Sequence, residues 1–120
     1  MEEKRIILTK LNELETEYRE EQKRLDNVLG ESLHEKNYFD KGLEELGSDI
    51  SYLFRIHGYD MDMRQAYHML EEAQEDADAL LKIDRQKIED EQEYLTTHYR
   101  RNVLFYEEDL DLLKRKESTI

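Results

Sequence analysis

Apolar side chains return every three or four residues along this chain, and no proline interrupts them anywhere in its 120 residues. Such 4-3 spacing averages close to one helical turn, so it lays the apolar residues along one stripe of an α-helix. In the first half the stripe reads Ile7, Leu11, Leu14, Tyr18, Leu25 and Val28, with Glu21 in one seam position. Around Leu29 and Leu33 the register shifts, a stutter of the kind that unwinds a coiled coil locally without ending it. The seam resumes as Phe39, Leu43, Leu46, Ile50 and Leu53 or Phe54. The second half carries Met63, Ala66 or Tyr67, Leu70, Ala73, Ala77, Leu80 or Leu81, Ile88 and Leu95, followed by Val103, Tyr106, Leu110 and Leu113. Its middle is poor, because Asp84, Glu91 and His98 alternate with Leu81, Ile88 and Leu95 at the expected seam positions.

Between the two halves lies FRIHGYDMDMR, residues 54–64. Gly58 tolerates a positive φ, and Asp60 suits the N-cap of a following helix, with Asp62 in its first turn. The pattern predicts an all-α, antiparallel two-helix hairpin forming a single domain over residues 1–120. Arm one covers about 3–56, the turn 57–60 and arm two about 61–116. Folding the arms together pairs residues whose numbers sum to about 117, setting Leu14 near Val103, Tyr18 near Tyr99 and Leu46 near Leu70. Glycine costs ~1 kcal/mol relative to alanine inside a helix, so Gly30, Gly42 and Gly47 are each candidate bends. At Gly47-Ser48-Asp49 a glycine C-cap followed by a serine N-cap offers a place to split the first arm. At the other end, Lys114-Arg115-Lys116 places positive charge where the helix dipole favours it.

The charge balance narrows the functional classes. With 31 acidic and 18 basic residues the net charge is −13, which opposes binding to nucleic acid phosphates or to an anionic membrane surface. The opening MEEKRIILTK has three consecutive apolar residues where a secretory leader needs about 7 to 15, so the expected location is the cytoplasm. No cysteine is present, which excludes disulfides, thiolate catalysis and cysteine zinc sites.

Each arm of a two-helix hairpin hides one apolar stripe, and this chain has more than that near its turn and near its ends. The turn-proximal surplus is Phe39, Tyr52, Phe54, Ile56, Tyr59, Met63 and Tyr67; the distal surplus is Leu104, Phe105 and Leu112. Apolar patches rich in methionine and aromatic residues mark interfaces. A homodimeric four-helix bundle and a complex with a different partner are both open readings.

Chemistry-bearing motifs are sparse. Glu31-Ser32-Leu33-His34 has the Glu-x-x-His spacing of di-iron bundles, but a second copy of the motif is missing. His68 with Glu72 and His57 with Asp60 have usable ligand spacing, which chance supplies in a sequence this acidic. With no phosphate-binding glycine loop and no nucleophile motif, the expectation is a protein without enzymatic activity or cofactor. Phe105 and Asp109 form a Phe-x-x-x-Asp, an aromatic and an acid one helical turn apart.

An acidic, cysteine-free helical hairpin with glycine at its centre resembles the WXG-type proteins of type VII secretion, with His57-Gly58-Tyr59 in place of the Trp-x-Gly. More specifically, Asp90-Glu91-Gln92-Glu93-Tyr94, His98-Tyr99-Arg100-Arg101 and Phe105-Tyr106-Glu107-Glu108-Asp109-Leu110 resemble a Firmicutes family of LXG-associated α-helical proteins. The resemblance covers the overall layout and is best over residues 85–116. It implies a targeting factor that binds the helical N-terminal LXG region of a toxin, beside a second small WXG-like helical protein, for export by the type VIIb machinery. It also implies either cytoplasmic residence or co-export with the toxin. Family knowledge places the Phe-x-x-x-Asp export signal in the WXG-like partner, so Phe105 and Asp109 stand here only as a motif of that type. A homodimeric adaptor or structural coiled coil unrelated to secretion is the alternative reading.

Overall fold

A computed structural model describes residues 2–57 and 63–118. They form two α-helices of 56 residues each, α1 (Glu2–His57) and α2 (Met63–Ser118), in the all-helical hairpin arrangement expected from the sequence. Gly58, Tyr59 and Asp60, the centre of the expected turn, lie outside the described residues, as does Met61.

The helices are held by many small local terms. Exposed carboxylates pair one turn along with basic groups, as in Arg19–Glu15 at 2.6 Å and Arg24–Glu21 at 3.0 Å, contacts worth a few tenths of a kcal/mol each. Glu2 and Glu3 stand in the first turn of α1 and Arg115 with Lys116 in the last turn of α2, both complementing the helix dipole. The Ser118 hydroxyl donates to the Arg115 carbonyl at 3.0 Å, and α2 runs two residues beyond the expected end.

The expected break in the first arm does not occur. α1 passes through Gly30, Gly42 and Gly47 as one helix. Helical propensity is a weak term when the segment packs against a partner helix, and Gly47 sits at such a contact. A β-carbon there would lie 3.6 Å from Leu70 Cδ1, whereas Gly30 and Gly42 have nothing within 4 Å.

Backbone proximity divides the chain into two compact modules. The terminal module comprises Met1–Asn27 and Ile88–Ile120; the central module comprises Val28–Lys87. In each, the α1 and α2 segments run antiparallel. Tyr18 stacks on Tyr99 at 4.3 Å between ring centroids, and Lys36 meets Asp78 at 2.9 Å, in line with numbers summing to about 117.

The terminal module is the better packed. Leu25 and Ile88, at 2% and 7% exposure, are the buried residues of the described chain, and both belong to it. Polar groups tie its two segments together. The Tyr18 and Thr96 hydroxyls lie 2.8 Å apart, Gln22 donates to the Gln92 carbonyl at 3.2 Å, and Gln92 donates to Asp26 at 2.7 Å. Gln92, Thr96 and Tyr99 face inward on α2, while Asp84, Glu91 and His98, expected in the seam, are exposed. Backbone carbonyls and hydroxyls can be satisfied across the seam by Gln and Thr, and a lone carboxylate facing the partner helix cannot.

In the central module Leu43, Ile50 and Phe54 face inward as expected, and the seam departs by one residue at Val28, Phe39 and Leu46. Phe39, Leu46 and Val28 are 42%, 48% and 38% exposed, and Leu53 is 50% exposed. The inward positions are instead Leu29, Lys36, Asp40, Leu43, Gly47, Ile50 and Phe54 on α1, facing Met63, Ala66, Leu70, Ala73, Ala77 and Leu81 on α2. The stutter near Leu29 and Leu33 supplies the offset, because four added residues advance a helix by slightly more than one turn.

Candidate interaction surface

The phase of α1 decides what the central module shows to the outside. The repeat Leu11, Tyr18, Leu25 points inward in the terminal module; carried on at seven-residue steps it falls on Ser32, Phe39, Leu46 and Leu53. Past the stutter the inward residues are Asp40, Gly47 and Phe54, one place later. A second apolar line at heptad spacing therefore runs along the outside of α1, and Ile56, 55% exposed, extends it.

Helix handedness puts part of α2 on the same face. In an antiparallel pair, the residue preceding a seam position lies to the same side of both helices, since reversing the chain direction also reverses the sense of rotation seen along the axis. Met69 and Leu80 precede Leu70 and Leu81, and they are 63% and 64% exposed. The opposite side carries the residues that follow seam positions, among them Glu44, Ser51, Tyr67 and Gln74. There the hydroxyls of Ser51 and Tyr67 are hydrogen-bonded to each other. One side of the central module thus carries Phe39, Leu46, Leu53, Met69 and Leu80, with Asp49, Glu72 and Asp76 beside them.

Inside this module the seam is charged. Lys36 Nζ lies 2.9 Å from Asp40 Oδ2 and 2.9 Å from Asp78 Oδ1. Hydrogen bonds to Asp78 and then Asp40 hold the ammonium pKa above the ordinary lysine value. The second Asp40 oxygen, Oδ1, is buried without a hydrogen-bond partner.

The terminal module has a different exterior. Near the chain ends Ile6, Ile7, Asp109, Leu112 and Leu113 line an open groove of about 360 Å³, with Glu3 and Lys116 at its edges. Phe105 is 59% exposed and packs edge-on against Tyr106, with ring centroids 5.5 Å apart; Lys10 lies 5.9 Å over the Tyr106 ring. Asp109 is half-buried and lines the groove, and Phe105, one helical turn before it, is exposed.

Of the sequence-derived contact residues, Phe39, Tyr52, Ile56, Tyr67, Leu104, Phe105 and Leu112 are exposed, and Phe54 and Met63 are half-buried in the seam. Tyr59 lies outside the described residues. Sequence reasoning assigned Leu46 to the seam, left Leu53 or Phe54 and Leu80 or Leu81 open there, and did not join Met69 and Leu80 to the same face as Leu46. The unbroken seven-residue repeat through Leu46 and Leu53 was the signal that could have found them.

Glu31 and His34 are both exposed, and His68 Nε2 lies 3.0 Å from Glu72 Oε1 as an exposed pair. Among the described residues no group of three or more His, Cys, Asp or Glu is placed to hold a metal ion. No helix among them is long and apolar enough to cross a membrane. No known protein family matches the chain, and neither a curated protein nor a solved structure matches it.

Proposed function

We propose that this protein is a non-enzymatic targeting factor that binds the helical N-terminal LXG region of a toxin and promotes its export by a type VII secretion system. The observation that carries the binding part is the placement of large apolar side chains on the outside of a helical hairpin. The accessible surface is 10207 Å², where a globular monomer of 14.6 kDa shows about 6,900 Å². Surface of that kind is covered by association, and the heptad spacing of Phe39, Leu46 and Leu53 suits a helix as the covering element. The secretion part rests on the resemblance over residues 85–116. A second small WXG-like helical protein belongs to the same proposal, as does residence in the cytoplasm or co-export with the toxin.

The test is the mass of the purified protein by light scattering, alone and after co-expression with the N-terminal helical region of an LXG toxin. A heteromeric complex that survives chromatography supports the proposal. A stable homodimer that ignores the toxin region replaces it with the adaptor coiled coil.

A further inference from the structure

The proposed function leaves open what kind of helix covers the central module, and the charges around its apolar face bear on that. Residues 42–54 of α1 contain Glu44, Glu45 and Asp49 and no lysine or arginine. Residues 65–81 of α2 contain Glu71, Glu72, Glu75, Asp76 and Asp78, again with no lysine or arginine. The antiparallel pairing brings these two stretches side by side, as the Gly47–Leu70 and Ser51–Tyr67 contacts show. Asp49, Glu72 and Asp76 each precede a seam position and so share the side of Leu46, Leu53, Met69 and Leu80, with no lysine or arginine of the same stretches beside them, whereas Glu44, Glu71 and Asp78 follow seam positions and lie on the other side.

A second copy of this chain would set Asp49, Glu72 and Asp76 against themselves, within the ~10 Å over which charges act at ordinary ionic strength. Burying Leu46 against its own copy would then desolvate like charges at the rim, which opposes self-association. A helix with an apolar seam flanked by lysine and arginine meets both features at once. Its seam would fill the heptad-spaced line Phe39, Leu46 and Leu53, and its basic flanks would reach the acidic rim.

We infer that the apolar face of the central module is the docking site for a basic amphipathic helix of another protein. This inference rests on the reading that the protein acts by binding a helical partner. It specifies which face is used and what charge the partner helix carries.

The test uses the full chain and three synthetic helical peptides in a fluorescence anisotropy titration. The first has a leucine seam flanked by lysine and arginine, the second the same seam flanked by glutamate, and the third the composition of the first in scrambled order. The basic peptide should bind at least about tenfold more tightly than either control, and binding should weaken several-fold between low and moderate salt. Leu46→Asp should weaken it by about tenfold or more, even though the added carboxylate would favour a purely electrostatic contact. Leu8→Asp, at an exposed position of the terminal module, should leave it unchanged, and the circular dichroism of both variants should match that of the parent protein. Equal binding of the basic and acidic peptides, equal binding of the scrambled peptide, or indifference to Leu46→Asp would each overturn the inference. A doubled mass for the free protein that Leu46→Asp abolishes would also overturn it, in favour of a second copy on this face. The two claims fail separately. A toxin region that binds while the basic peptide does not removes only this inference, whereas a bound peptide with no toxin complex removes only the secretion reading.

Discussion

The two modules share two helices and differ in what they place between them. In the terminal module the seam is filled by Leu25, Ile88 and the stacked Tyr18–Tyr99 pair, and its cross-helix polar groups are satisfied. In the central module the seam holds alanines, Gly47 and the Lys36 cluster, while Phe39, Leu46, Leu53, Met69 and Leu80 face outward. The described glycines, Gly30, Gly42 and Gly47, fall in the central module, and no described residue there is buried. Hydrophobic stabilisation scales with the apolar area removed from water, so the terminal module supplies most of the fold's own stability. The central module shares its large side chains between the seam, which holds Leu43, Ile50, Phe54 and Leu70, and the outer face.

This contrast is sharpest in paired truncations. Leu25→Ala should destabilise the protein by about 2 to 4 kcal/mol, through lost transfer energy and a cavity that helices pinned by polar cross-links cannot fully collapse. The same truncation at Leu46 should change stability by no more than about 0.5 kcal/mol in the isolated protein. Urea unfolding of both variants checks the pair, and equal losses would erase the distinction between the modules.

A smaller effect tests the polar ties of the terminal module. Tyr18→Phe removes the hydroxyl that meets Thr96 but keeps the ring on Tyr99, and should cost about 1 kcal/mol. A loss near zero would mean that water replaces the bond and that the module is less tightly closed than its geometry shows.

Gly30 and Gly42 point into open space, so Gly30→Ala and Gly42→Ala should each raise stability by about 0.5 to 1 kcal/mol through helix propensity. Destabilisation by either would show that the chain bends there in solution. The first arm would then be broken after all.

The weakest expected effect belongs to Lys36. Its pKa is raised in the folded protein, so the stabilisation from the Asp40 and Asp78 contacts is fully present below the ordinary lysine value of about 10.4. It is lost as the pH climbs through the higher folded-state value. The melting temperature should therefore fall more steeply above pH 10 for the parent than for Lys36→Met, and parallel profiles would remove Lys36 from the account.

Much of the fold was legible in the sequence because long 4-3 repeats without proline leave few alternatives. The antiparallel register was legible too, since the position of the turn fixes which residues meet, and Tyr18 does lie against Tyr99. The phase of the central seam was not. Reading it from apolar residues favours Phe39 and Leu46, whereas the helix pair turns Asp40 and Gly47 inward, whose paired or absent side chains allow close approach of the two helices. At the functional level the distal residues Leu104, Phe105 and Leu112 were found as exposed surplus, because each stands beside a seam that the sequence placed correctly. Leu46 was missed for the complementary reason, and Leu53 was left open against Phe54: a one-residue error of phase turns an outward residue into a core residue.

The most direct measurement of whether the central module turns its large side chains outward exploits the absence of cysteine from the chain. Single-cysteine variants Leu46→Cys and Ile50→Cys would be labelled with a maleimide, in the isolated protein and in its complex with a helical partner. Leu46→Cys should react nearly as fast as an unfolded control when alone and become protected in the complex, while Ile50→Cys reacts slowly in both. Protection of Leu46→Cys in the isolated monomer, with Ile50→Cys freely reactive, would show that the seam is phased the other way and would contradict the account.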